Sequence, residues 1–117
     1  MTTRATKWHA TEITPFKGLR LTTEKRQPGI TTVQYTGGGY DAVTFIQGEP
    51  IHTRDMANPP DEIHGKPFAH VSVDVAGQRS NVFILPDGTE IGTTHPDHRR
   101  IIQHYAGQFK ANVSHRT

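Results

Sequence analysis

Two histidines and a carboxylate lie within four residues at positions 95–98, in the order His-Pro-Asp-His. Neutral imidazole and carboxylate bind zinc and related metals where thiolates are absent, and this chain has no cysteine. The candidate metal ligands are His95 and His98, with a third from His70, His52 or His64. The spacing matches no established metal motif. The alternative is that His98 packs in the core and His95 caps a helix.

A second set of chemically competent side chains lies on one face of a predicted strand. His70, Ser72 and Asp74 alternate along it, about 7 Å apart, and are the types found in a base, nucleophile and orienting carboxylate. A working relay also needs an oxyanion site and a pocket. Simple alternation on a solvent-facing strand produces the same pattern. Catalytic residues therefore stay unassigned, and the sequence does not decide whether the protein is an enzyme.

Three consecutive glycines, Gly37-Gly38-Gly39, are a candidate phosphate cradle, because glycine lets backbone amides approach an anion. They lack the flanking residues of known phosphate loops, and no predicted helix follows them. A hairpin turn is the favoured interpretation.

The broadest candidate site is a set of cationic and aromatic side chains. Small β-barrels bind single-stranded nucleic acid with basic grooves and stacking aromatic rings, and a nucleotide would use the same groups. The candidate ligand-binding residues are Arg99, Arg100, Lys110, Arg20, Lys17 and Tyr40. The net charge of +2 does not by itself indicate nucleic acid. The alternative is an ordinary solvated surface.

The elements that must position these residues are clearest from residue 69 onward. Residues 69–75 alternate strictly between apolar and polar side chains, which predicts a strand with one buried face. Pro86, Asp87 and Gly88 then form a turn signal. We predict a three-stranded meander over 69–92, with Val73 and Phe83 buried together.

An amphipathic helix is predicted after the meander, beginning near Thr94 with Thr93 or Thr94 as its cap. Its apolar stripe is predicted at His98, Ile101, Ile102, Tyr105 and Phe109. Gly107 is expected to let the helix fray, and residues 111–117 are expected to form a flexible tail.

Earlier strands are predicted at 19–23, 31–36 and 40–47, with a weak candidate at 7–14 and an extended piece at 51–53. Both faces of the 40–47 strand are partly apolar, which indicates a central position in a sheet or a subunit contact. Residues 54–67 are rich in proline and are interpreted as a loop, either functional or a simple crossover.

The length of 117 residues predicts one domain, 1–117, with a flexible tail at 1–6. Hydrophobic residues make up 32% of the chain, fewer than usual, and charged residues only 21%. With frequent glycine and proline, this favours a mainly β fold. We expect a small β-sandwich or β-barrel of about seven short strands with one C-terminal α-helix.

The leading functional hypothesis is a binding or accessory module for an anionic ligand, either nucleic acid or a nucleotide. The alternatives are a histidine-based metal or hydrolytic site, and a self-assembling structural protein, because a thin core favours a homo-oligomer that shares it. No apolar run approaches the roughly 20 residues that span a bilayer, so a soluble, cytoplasmic protein without a membrane partner is expected. No cofactor can be assigned from the sequence.

Overall fold

The computed structural model describes residues 15–56 and 58–116. The strand candidate at 7–14 and the tail at 1–6 lie outside the described residues. The strands are β1 (Arg20–Gln27), β2 (Ile30–Gly37), β3 (Tyr40–Gly48), β4 (Phe68–Val75), β5 (Gln78–Ile84) and β6 (Glu90–Thr93). They are followed by one helix, α1 (Arg99–Arg116), and short 3₁₀ turns lie at Pro50–Asp55, Asp61–Ile63 and Pro96–His98. The described residues contain no helix long and apolar enough to cross a membrane.

The six strands form a single antiparallel sheet in the order β1-β2-β3-β4-β5-β6. Each strand pairs with its sequence neighbour, and this confirms the predicted meander over 69–92 and the central position of β3. The prediction of a mainly β fold with one C-terminal helix is also confirmed. The sheet is open, however, so the expected barrel or sandwich is not formed by the described residues. A helix and an irregular segment cover its faces in place of a second sheet.

The main core lies between the sheet and α1. Tyr105 is fully buried and its ring centre lies 5.7 Å from that of Tyr35 and 4.8 Å from that of Phe45. The whole predicted helical stripe is buried, because residues at helical spacing share the face that meets the sheet. This packing holds α1 against one face of the sheet.

The start of α1 differs from the prediction. Thr93 still belongs to β6, and α1 follows the 3₁₀ turn Pro96–His98. The N-cap of that turn is His95, whose Nδ1 accepts a hydrogen bond from the Asp97 backbone N–H at 3.1 Å. The alternative interpretation of His95 as a helix cap is thereby confirmed.

The end of α1 also differs, because the helix passes Gly107 and reaches Arg116. The flexible tail expected at 111–117 is therefore helical as far as that residue. Its last turns are anchored by a buried hydrogen bond, in which Asn112 Nδ2 donates to Gln47 Oε1 at 2.7 Å.

A smaller apolar cluster lies on the opposite face of the sheet. Phe68, Ile63 and Leu85 are buried there, with Phe83 packed against them. Ile63 comes from the segment at 50–67, which crosses this face between β3 and β4. Its first part is the 3₁₀ turn Pro50–Asp55, so the extended piece predicted at 51–53 is wrong. Proline at the first helical position suits such a turn.

The prediction that Val73 and Phe83 are buried together is wrong. Val73 lies opposite Ser80 in the β4–β5 register and faces α1. Along β5, Ser80 and Val82 share that face, so Phe83 points to the other one. The sheet therefore has two separate apolar faces.

Candidate functional site

The predicted relay on β4 is not brought together. The His70 ring packs on Phe83, with ring centres 4.6 Å apart. The Asp74 carboxylate accepts two hydrogen bonds from Arg79, at 2.9 and 3.0 Å, and these lower the pKa of Asp74. Ser72 lies between them, opposite Asn81 on β5. His70 and Asp74 thus contact different residues of β5. Among the described residues, no hydrogen bond joins Ser72 to either of them.

The three candidate metal ligands do not meet, because the sheet separates His70 from the other two. The rings of His95 and His98 lie 5.1 Å apart at the start of α1. His70 lies on the opposite face, because alternation along β4 sends Val71 and Val73 toward the helix. No group of three or more histidine, aspartate or glutamate side chains that could hold a metal ion occurs in residues 15–56 and 58–116.

The three predicted ligand-binding cations of α1 have different surroundings. Arg99 Nη1 donates to Glu90 Oε1 at 2.6 Å, so its charge is neutralised beside the sheet edge. Lys110 is exposed on α1, about 15 Å along the axis from Arg100. Arg100 itself lies over the Phe16 ring, with its guanidinium carbon 5.3 Å from the ring centre. That contact directs Arg100 toward the segment before β1.

The glycine triplet forms the β2–β3 hairpin turn, as favoured from the sequence, and it also packs against the chain before β1. A Cβ on Gly37 would lie 2.3 Å from the Gly18 carbonyl oxygen, and one on Gly38 would lie 2.3 Å from that of Lys17. The Arg20 Nε lies 3.8 Å from the same Cβ position on Gly37. The absence of side chains at this turn therefore lets residues 17–20 lie directly against it.

Tyr40 connects this turn to a cleft. Its ring meets the Phe16 ring edge-on, with centres 6.3 Å apart. It also lines an open cleft of about 230 Å³, which we call the glycine-turn cleft. The other lining residues are Gly38, Gly39, Val75, Gln78, Asp97 and His98.

Four of the six predicted ligand-binding residues thus lie around the glycine turn and Phe16: the chain of Lys17 and Arg20 packs against the turn, while Tyr40 and Arg100 both contact the Phe16 ring. Lys17, Arg20 and Arg100 are exposed, and within the described part of the chain they form no ion pair. Gln78 was missed by the sequence analysis. Gln78 belongs to no recognisable sequence motif. The pairing of β4 with β3 brings the β4–β5 turn, where Gln78 lies, beside the glycine triplet.

The charges inside the cleft differ from those at its border. Burial lowers the pKa of His98, and neighbouring His95 lowers it further, so His98 is neutral at neutral pH. Asp97 is exposed and supplies a carboxylate. The cleft lining therefore carries a neutral imidazole and a carboxylate, and no cationic side chain is among its described residues.

Comparison with known proteins gives no matching family model, no similar curated protein and no similar solved structure. Function is therefore inferred from the site alone.

One buried and two partly buried histidines predict an acid-dependent loss of stability. Burial lowers the pKa values of His70, His98 and His104 below the ordinary 6.5. The unfolded chain therefore takes up protons first as the pH falls, and protonation favours unfolding. We expect these three groups to contribute their full stabilisation above pH 6.5. This stabilisation should be lost as the pH falls from 6.5 toward their pKa values in the folded protein. Urea midpoints at pH 7.5 and 5.5 measure this loss, and equal midpoints would contradict it. Replacing exposed His64 with Gln should leave the dependence intact.

Proposed function

We propose that this chain is a binding module for a nucleotide, held at the glycine-turn cleft. The observation that carries the proposal is a cleft lined by Tyr40 and the glycine turn, with the chain of Lys17 and Arg20 packed against that turn. Arg100 lies over the Phe16 ring that Tyr40 also contacts, and none of the three cations forms an ion pair within the described residues. Lys17, Arg20 and Arg100 would bind the phosphate, and Tyr40 would contact the base. Neither the metal site nor self-assembly gains a comparable observation from the described residues.

Arg100 is the cation best suited to the phosphate. Its contact with the Phe16 ring orders the guanidinium without neutralising it, since the ring contributes no negative charge. A guanidinium offers several N–H donors that match phosphate oxygens, and such charge-assisted bonds are stronger than neutral ones. Arg100 would therefore contribute more to binding than a cation on a freely moving side chain.

The cleft itself suits the neutral part of such a ligand. Its volume of about 230 Å³ lies below the roughly 300 Å³ at which sites for drug-sized ligands begin, so it can enclose only part of a nucleotide. The Asp97 carboxylate would repel a phosphate inside it, whereas it can accept hydrogen bonds from a base or a sugar. This division, with cations outside and neutral or acceptor groups inside, favours a nucleotide over a simple inorganic anion.

The test compares two single variants in titrations with AMP and GMP at low salt. We expect Arg100→Ala to weaken binding about tenfold, which corresponds to about 1.4 kcal/mol. Lys110→Ala removes an equal charge from the same helix, about 15 Å away, and should change the affinity less than twofold. Heteronuclear NMR on labelled protein gives the affinities and the residues that shift.

Equal losses from the two variants would show that binding depends on general charge and not on this site. The absence of any binding by the parent protein at millimolar nucleotide would reject the proposal. Binding of a single-stranded oligonucleotide with a steep salt dependence, without binding of mononucleotides, would reassign the surface to nucleic acid.

A further inference from the structure

His98 combines two features at the cleft. It lines the cleft, yet the residue is only 2% exposed. Its Nδ1 lies 2.7 Å from Ser80 Oγ, while its Nε2 is buried and has no hydrogen-bond partner among the described residues. Buried polar atoms in folded proteins are nearly always paired, so an unpaired one beside a cleft needs an explanation.

The neighbouring hydrogen bonds favour one assignment of the His98 proton. The His95 backbone N–H donates to Ser80 Oγ at 2.8 Å, so that oxygen already accepts one bond. The Ser80 hydroxyl hydrogen is still free to donate, and His98 Nδ1 lies within hydrogen-bond distance to accept it. A neutral imidazole that accepts at Nδ1 carries its hydrogen on Nε2. His98 is neutral because burial lowers its pKa. In this tautomer the unpaired atom is a donor.

We propose that His98 Nε2–H is a ligand-binding donor of the glycine-turn cleft, paired by an acceptor atom of a nucleobase. The acceptor is a carbonyl oxygen or a ring nitrogen, and Ser80 is the positioning residue that holds the donor in the required tautomer. This inference rests on the proposed nucleotide function, and it assigns the recognition of the base to a residue distinct from the cations that bind the phosphate.

Neighbouring groups complement this donor. Asp97 supplies an acceptor in the same cleft, and the Gln78 amide supplies both a donor and an acceptor. A base that carries an acceptor next to an N–H donor, as guanine does, can pair with both His98 and Asp97. A ribose phosphate can use the cations and the Asp97 carboxylate, but it offers His98 no nucleobase acceptor.

The test is ¹⁵N NMR of the histidine side chains in the full chain, with GMP and ribose 5-phosphate as probes. We expect the free protein to show His98 as the Nε2–H tautomer. GMP should shift the Nε2 resonance, whereas ribose 5-phosphate should leave it unchanged. His64 is exposed and provides an internal reference that neither probe should move.

Ser80→Ala gives a second reading, because it removes the hydroxyl with little change in volume. His98 should lose its single tautomer, and GMP should bind about five- to tenfold more weakly, while ribose 5-phosphate binds as before. The tautomer signal distinguishes positioning from a purely structural role of Ser80.

Each outcome decides between the two proposals. An Nδ1–H tautomer in the free protein overturns the inference by itself. GMP binding that shifts Tyr40 and Arg100 but not His98 Nε2 also overturns it, indicates that an ordered water satisfies the donor, and leaves the proposed function intact. Failure of both probes to bind rejects the proposed function and this inference together.

Discussion

Replacing Phe45 with Ala is expected to lower the free energy of unfolding by about 3–5 kcal/mol. Phe45 is fully buried on the central strand β3, and its ring lies 4.8 Å from that of Tyr105 on α1. Truncation would leave a cavity between sheet and helix, and paired strands on both sides of β3 prevent the sheet from closing it. Urea denaturation monitored by circular dichroism measures the loss.

Phe83→Ala is the matched control on the other face. Phe83 is only partly buried and packs against the smaller cluster of Phe68, Ile63 and Leu85. Its truncation should therefore cost less than that of Phe45, about 1–2 kcal/mol, since solvent already reaches part of the ring. Equal losses at the two positions, or a larger loss at Phe83, would contradict the presence of a dominant core under α1.

The strands and the helical stripe could be predicted because they follow from local periodicity. Alternation over 69–75 defines one buried face, and β4 presents that face to α1. The spacing of Ile101, Tyr105 and Phe109 places all three on one side of a helix, whatever that helix packs against. Such patterns depend on side chains only a few residues apart, so they need no knowledge of the tertiary structure.

The face chosen by each apolar residue of β5 could not be predicted. Val82, Phe83 and Ile84 are consecutive and apolar, so alternation does not distinguish which of them meets the helix. The register with β4 decides it, and that register depends on the turn at Ala76 and Gly77. Sheet closure is similarly non-local, because a barrel would require pairing between β1 and β6, which are distant in sequence.

The candidate site shows the same limit. The residue types in the sequence predicted Arg100 and Tyr40 as binding candidates, but they predicted Arg99 and Lys110 equally. Arg99 is neutralised by Glu90, nine residues earlier on β6, and no sequence pattern predicts that ion pair. Position on the helix alone does not tell which of two adjacent arginines keeps a free charge.

The close approach at the glycine turn gives the second large prediction. Gly38→Ala is expected to destabilise the fold by about 3 kcal/mol. Gly38 has a φ of +63°, and an added Cβ would lie 2.3 Å from the Lys17 carbonyl oxygen and 3.0 Å from the Leu19 nitrogen. Both neighbours are backbone atoms, so the chain at 17–19 must move away. Urea denaturation measures the cost.

Gly88→Ala separates backbone strain from this close approach. Gly88 has a φ of +94° in the β5–β6 turn, and an added Cβ there meets nothing within 4 Å. Its cost should be limited to the strain of positive φ, about 1–2 kcal/mol. Because residues 17–20 carry two of the three cations, Gly38→Ala should also weaken AMP binding at a temperature where the variant is folded, whereas Gly88→Ala should not. Equal stability losses, or nucleotide affinity unaffected by displacing this segment, would show that the contact between the glycine turn and residues 17–20 does not organise the site.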